Sequence, residues 1–93
     1  MVYLIVVQGR SYNFDYSPLY DKIKSIGDDY IQAMDCLWFI HSDKPLNAKE
    51  VSKELLNYIG EKDFLFMSEL PRCAKKDGRL LRTAWDFLKV KEL

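Results

Sequence analysis

Two nearly uninterrupted apolar runs, residues 2–7 and residues 36–41, constrain the fold of this chain more than any other feature. A strand with one solvent-exposed face alternates apolar and polar residues, whereas a strand covered on both faces is apolar throughout. Both runs therefore predict central strands of a sheet. A third β-prone run, residues 30–34, carries Gln32 among its apolar residues and predicts a strand nearer the edge. Little more than Asp35 separates it from residues 36–41, so we expect a tight hairpin.

Two further segments have the spacing of amphipathic helices. In the first, Ser17 followed by Pro18 predicts an N-cap with proline at the first helical position, and Gly27 ends the helix. In the second, Asn47 and Glu50 form a capping-box-like start. The apolar stripes predicted to be buried are Leu19, Ile23 and Ile26 in the first helix, and Val51, Leu55, Tyr58 and Ile59 in the second, which Gly60 closes.

A last strand is predicted over residues 64–67, ended by Pro71. The resulting order is strand, helix, strand, strand, helix, strand, the signature of a ferredoxin-like βαββαβ plait. Right-handed crossovers would place the first and third strands in the middle of the sheet, in agreement with their apolar sequences. We therefore predict an α+β domain over residues 1–70. Residues 71–93 predict a C-terminal extension of the same domain, helical from about residue 79.

The composition excludes several classes of protein. A chain of 93 residues with 48% hydrophobic and 30% charged residues has the composition of one ordinary globular domain, not of a two-domain enzyme or a disordered chain. No apolar run approaches the roughly 18 residues of a membrane span, and residues 2–7 lack the flanks of a secretory signal. Cys36 and Cys73 fit no metal or disulfide pattern, so we expect reduced thiols in a cytoplasmic protein without membrane contact.

The zero net charge hides an asymmetry along the chain. Residues 1–70 hold 7 basic and 11 acidic side chains, whereas residues 71–93 hold 7 basic and 3 acidic ones. Such a cluster of cations predicts contact with phosphates or with an acidic protein surface. The alternative is a solvated outer face of the terminal helix, or docking onto the chain's own acidic body. The candidate partner-binding residues are Arg72, Lys75, Lys76, Arg79 and Arg82.

Several local motifs, taken in this order, resemble the ferredoxin-like proteins called SinR-like, which are relatives of the CRISPR-associated adaptation nuclease (the second Cas protein) and of VapD-type endoribonucleases. The resemblance covers about residues 2–70. It implies a ferredoxin-like scaffold and a homodimer more firmly than it implies catalysis. The matching segments are the first strand, Tyr16-Ser17-Pro18-Leu19-Tyr20, Ile26-Gly27, Met34-Asp35-Cys36-Leu37-Trp38-Phe39-Ile40 and Asp63-Phe64-Leu65-Phe66.

The chain departs from this family at the end of the first strand. The nuclease relatives carry there an aspartate held to bind a divalent cation, whereas this chain has Gln8 and Gly9. A neutral amide cannot neutralise a hard divalent ion, so the chain lacks the carboxylate ligand that Mg²⁺- or Mn²⁺-assisted hydrolysis needs at this position. Asp15, in the loop after this strand, is the first candidate for a substitute catalytic carboxylate, and Asp35, at the hairpin tip, is the second. We predict no cofactor and no metal site unless the protein is a nuclease.

The remaining candidates have structural explanations. His41, the only histidine, stands beside Ser42 and Asp43 without a nucleophile at triad spacing, so a hydrogen-bonded structural histidine is expected. Cys36 is expected to be buried in the hairpin. The third strand is too apolar for a wet RNA-binding platform, so the open sheet face is expected to be buried beneath the C-terminal helix or against a second subunit. Residues assigned to this burial are Trp38, Leu81, Trp85 and Leu88.

Three functions follow from these observations. The favoured one is a non-catalytic binding protein that forms a homodimer. It holds a protein or nucleic acid on residues 71–93, the basic segment. The second is a metal-dependent endoribonuclease of toxin type that uses a displaced carboxylate. The third is an inhibitor of a host defence protein, encoded by a virus or mobile element, since small size and an acidic body suit mimicry of nucleic acid.

Overall fold

The computed structural model describes residues 1–11, 13–72 and 74–92. These residues form four strands and three α-helices, and a 3₁₀ turn, Leu56–Tyr58, extends the second helix. In chain order the elements are β1 (Val2–Gln8), α1 (Ser17–Ile26), β2 (Asp29–Met34), β3 (Leu37–His41), α2 (Ala48–Leu55), β4 (Phe64–Leu70) and α3 (Arg82–Glu92). The predicted α+β class is confirmed. No helix among the described residues has both the length and the apolar character needed to cross a bilayer.

The four strands form one sheet in the order β2-β3-β1-β4. Every neighbouring pair is antiparallel. The two apolar runs thus become the central strands, and β2 lies at an edge, as the sequence predicts. Ile5 of β1 lies opposite Trp38 of β3 on one side and Met67 of β4 on the other.

Both faces of the sheet are covered, which explains why the central strands do not alternate. On one face, Ile5 and Val7 join a core cluster with buried residues of α1 and α2, including Leu19 and Leu55. On the other face, Val2 lies in a second cluster with residues of α3. The C-terminal extension is therefore part of the same packed unit, because Ala84 and Leu88 of α3 are buried against the sheet.

Two helix ends follow the sequence prediction, and a third departs from it. The side chain of Asn47 accepts a hydrogen bond from Glu50 N–H at 3.1 Å, as a capping residue does. Ser17, however, is the first helical residue and not the N-cap, and its N–H donates to Asp15 Oδ1 at 2.9 Å. Gly27 ends α1 as predicted; a Cβ there would lie 2.1 Å from the carbonyl oxygen of His41, so the close approach to β3 requires glycine.

Helix α3 starts at Arg82, three residues later than predicted, because residues 74–81 run as a loop. The carbonyl of Leu81 accepts hydrogen bonds from Ala84 N–H at 3.0 Å and Trp85 N–H at 3.3 Å. Leu81 thus begins the first turn, and its side chain is 67% exposed instead of buried. Trp85 and Leu88 do pack against the sheet face beneath α3.

Trp38 is buried, but not on the face where the sequence predicts it: it lies on the opposite face of the sheet from Trp85 and Leu88. It belongs to the cluster beneath α1 and α2, with its ring centroid 5.7 Å from that of Tyr20. Its indole N–H finds no hydrogen-bond acceptor among the described residues. The expectation that Cys36 is buried is wrong, since Cys36 occupies the two-residue turn between β2 and β3 and its side chain is exposed.

Candidate functional site

The end of β1 is where the family resemblance would place a catalytic carboxylate. A cavity of about 360 Å³ opens there, lined by Val7, Gln8, Gly9, Tyr16, Tyr20, Asp35 and Cys36. The strand end meets the hairpin tip directly, because Val7 N–H donates to the carbonyl of Cys36 at 2.8 Å. The cavity therefore presents one amide, one thiol, two phenols and a single carboxylate, that of Asp35.

Asp15 does not line this cavity. Its carboxylate is exposed and accepts the N–H of Ser17 at 2.9 Å, and this hydrogen bond lowers the pKa of Asp15 below its ordinary value. A carboxylate at this position satisfies one of the N–H groups that a helix leaves unpaired at its start. Asp15 therefore acts locally at the beginning of α1.

Asp63, just before β4, is the buried carboxylate that the sequence did not single out as a site. It is 7% exposed and accepts hydrogen bonds through both oxygens. Oδ1 accepts from Arg10 N–H at 2.6 Å and from the N–H and hydroxyl of Ser11, each at 3.0 Å. Oδ2 accepts from Gly60 N–H at 2.7 Å and from the Tyr16 hydroxyl at 2.8 Å.

These bonds set the charge state of Asp63. Burial alone would raise its pKa, but hydrogen bonds from Arg10 N–H, Gly60 N–H, Tyr16 and Ser11 outweigh burial and hold the pKa at about 2. The carboxylate thus ties the loop after β1 to the turn before β4. Only the contact with Gly60 is local and suggested by the sequence, because aspartate favours turns; the other donors lie 47 to 53 residues away.

The opposite end of the sheet holds the one group of three possible metal ligands among the described residues, Asp28, His41 and Asp43. Their ligand atoms lie within 4.8 Å of one another. His41 Nδ1 is 2.6 Å from Asp28 Oδ1, and Asp43 N–H donates to Asp28 Oδ2 at 2.8 Å. The bond to His41 is the main cause that lowers the pKa of Asp28. His41 is thus hydrogen-bonded, as expected of a structural histidine.

The five predicted partner-binding cations are all exposed. Arg82 lies 4.0 Å from Asp86 of its own helix, and the Lys76 ammonium donates to the carbonyl of Ala74 at 2.8 Å. Arg72, Lys75 and Arg79 make no ion pair with any side chain of residues 1–11, 13–72 or 74–91. The extension instead docks on the acidic body through Lys91, 3.2 Å from Asp29. Cys73 lies outside the described residues.

In comparisons with known proteins, no protein-family model, no curated protein and no solved structure matches the chain.

Proposed function

We propose that this protein is a non-catalytic binding domain with a ferredoxin-like plait, which forms a homodimer and holds an acidic partner on its basic segment. The element order and the sheet order β2-β3-β1-β4 support the plait, since crossovers in a βαββαβ chain bring β1 and β3 to the centre. The kinship with SinR-like proteins and the adaptation nuclease rests on the motifs quoted above.

The observation that carries this proposal is the chemistry at the end of β1. Magnesium in phosphoryl-transfer sites is held by one or two carboxylates together with substrate phosphates, and the family resemblance places the first of them at the strand end. Gln8 and Gly9 occupy that end, and the one carboxylate in the cavity, Asp35, projects from an exposed turn. Asp15 accepts the N–H of Ser17 at the start of α1. Asp63 is buried, and both of its oxygens accept hydrogen bonds inside the fold.

The outer edge of β4 supports self-association. Among the described strands β4 pairs only with β1, so its other edge is unpaired over the seven residues from Phe64 to Leu70. Phe64 and Phe66 are 58% and 62% exposed. Natural edge strands are protected by charges, proline or bulges, yet Glu69 is the only charged residue of β4 and Pro71 lies beyond it. An open apolar edge of this length suits pairing with a second copy.

The basic segment supports an acidic partner. Arg72, Lys75 and Arg79 are exposed and unpaired with the described body, so their charges are available for phosphates or carboxylates. Binding through such cations weakens with salt, steeply for nucleic acid and less for a protein surface.

A rival function, metal-dependent endoribonuclease, is favoured by the cluster of Asp28, His41 and Asp43. Two carboxylates and an imidazole are groups that ligate divalent metal ions in proteins. The existing Asp28–His41 bond would have to open, because atoms 2.6 Å apart are too close to ligate one ion together. Lys91, near Asp28 and Asp29, adds positive charge that disfavours a cation.

One experiment separates the two functions. The purified protein is incubated with mixed RNA and DNA oligonucleotides in Mg²⁺ or Mn²⁺, with and without chelator, while light scattering measures its mass. We expect a dimer that cuts nothing, and Phe66→Glu should make it a monomer, whereas Met34→Glu, at the opposite edge of the sheet, should not. Chelator-sensitive cleavage that Asp28→Asn and Asp43→Asn abolish would replace our proposal by the nuclease.

The partner is tested on the same sample. Labelled single-stranded RNA is titrated at increasing salt with the natural chain, with Lys75→Glu/Arg79→Glu, and with Lys49→Glu/Lys53→Glu on α2 as the matched control. Loss of binding in the first variant alone would identify nucleic acid as the partner. If RNA does not bind and an acidic protein captured by the natural chain is lost from the first variant, the partner is a protein. Equal capture by all three chains would refute the role of the basic segment.

A further inference from the structure

The sheet face that carries α3 is not completely filled. A groove of about 340 Å³ lies between α3 and the loop of residues 75–80. Its floor is the apolar face of the central strands, including Leu4 and Phe39, and Trp85 and Leu88 form one wall. Leu80, from the loop, contributes to the other wall. Small-molecule sites begin at about 300 Å³ and are mostly apolar with a few placed polar groups, which describes this groove.

The charged groups of the groove all lie on the loop. Lys75, Lys76 and Arg79 stand at the opening together with one acidic residue, Asp77. Asp77 is occupied locally, since its Oδ1 accepts the N–H of Gly78 at 2.8 Å. Lys75 and Arg79 are exposed and form no ion pair with the described side chains. The opening is therefore positive, and two of its cations are available to a ligand.

We propose that this groove binds a single-chain amphipathic anion, a monocarboxylic acid with an apolar chain of about ten carbons. The apolar floor takes the chain, and the cations at the opening take the carboxylate. If each methylene needs about the volume of one liquid water, roughly 30 Å³, a ten-carbon chain occupies most of the groove. A ligand with the same apolar chain but a cationic or neutral end would still fit the apolar floor. It would have no anionic group to pair with Lys75 and Arg79. This site shares Lys75 and Arg79 with the proposed partner-binding segment. It is independent of the β4 edge and of any nuclease activity.

The chain supplies its own reporter for this site. Trp85 lines the groove, whereas Trp38 is 2% exposed in the core on the other side of the sheet. The two indole N–H signals in a proton–nitrogen NMR spectrum therefore distinguish binding in the groove from general loosening of the fold. Decanoate and decyltrimethylammonium are matched probes, because they share one chain length and differ in charge, and both are used below their micelle concentrations.

We expect decanoate to shift the Trp85 signal in a saturable way, to leave the Trp38 signal in place, and to bind more tightly than decyltrimethylammonium. An exposed ion pair is worth about 0.2–1 kcal/mol, so Lys75→Glu and Arg79→Glu should each weaken decanoate about 1.4- to 5-fold, and the double variant should reverse the preference for the anion. Lys49→Glu/Lys53→Glu, on α2 across the sheet, changes the net charge equally and should retain that preference.

Three results with the natural chain would overturn the proposal, and so would one with the variant Leu80→Gln. The first is a Trp85 signal that decanoate does not move. The second is equal affinity for the two probes in the natural chain, which would show apolar contact without recognition of the anion. The third is simultaneous movement of both indole signals, which would show that the amphiphile disrupts the core. Leu80→Gln, which leaves the cations in place, should weaken both probes together; unchanged binding by this variant would locate the ligand elsewhere.

Discussion

Replacing Asp63 by asparagine should destabilise the protein strongly, although the two side chains have nearly the same shape. The pKa of Asp63 falls from 3.8 to about 2 in the folded protein. Each pKa unit corresponds to about 1.36 kcal/mol, so the charged form contributes about 2 kcal/mol to folding. Asparagine removes that charge and also turns an NH₂ group toward the N–H and O–H donors of Arg10, Ser11, Tyr16 or Gly60. We therefore expect Asp63→Asn to lose about 2–4 kcal/mol.

That loss is a large share of the roughly 5–14 kcal/mol expected for a domain of this size. It should also depend on pH with a definite sign. Because the folded pKa is depressed, the contribution of Asp63 is fully present above the unfolded value of 3.8 and disappears as the pH falls through about 2. Urea unfolding followed by circular dichroism at pH 7, 5, 3 and 2 measures this. The free-energy gap between natural chain and variant should be widest at pH 7 and 5 and narrow toward pH 2.

The matched control is Asp21→Asn, which removes an exposed carboxylate of α1 and should change stability by less than about 0.5 kcal/mol. A variant Asp63→Asn as stable as the natural chain at pH 7 would refute the reasoning. So would a gap of the same size at every pH, because the carboxylate charge would then contribute nothing.

Three other substitutions test the fold and the Asp28–His41 pair. Gly27→Ala places a Cβ 2.1 Å from the carbonyl oxygen of His41, so we expect the free energy of unfolding to fall by about 1–3 kcal/mol in urea unfolding. The control Ser25→Ala, in the same helix turn, should leave the free energy of unfolding nearly unchanged. Leu55→Ala empties a fully buried position beneath the sheet and should cost about 2–5 kcal/mol, against little change for the exposed neighbour Leu56→Ala. His41→Gln removes the main cause that lowers the pKa of Asp28, so a carbon-detected NMR titration should find that pKa closer to 3.8; an unmoved value would mean that another group holds it.

The order of elements and the placement of the central strands could be predicted from residue types and their spacing. A strand without alternation is covered on both faces. This rule, together with right-handed crossovers, predicts that residues 2–7 and 36–41 are central strands, and β1 and β3 do lie at the centre of the sheet. The start of α2 was equally predictable, because a capping asparagine acts on an N–H three residues away. A helix cap depends on neighbouring residues, and the burial of a strand depends on the residues along its two faces. Both can therefore be predicted from the spacing of residue types.

Which side chains contact one another could not be predicted from the sequence, because these contacts depend on how the elements pack. Period-two alternation assigns Trp38 to one face of β3, but the sequence does not say which helices cover that face, and α1 and α2 proved to do so. Asp63 accepts more hydrogen bonds than any other carboxylate of the described residues because the loop after β1 and the turn before β4 come together at neighbouring strand ends. The groove beside α3 likewise exists because a loop from the extension lies across the central strands. Such contacts join residues far apart in the chain, and no residue spacing records them.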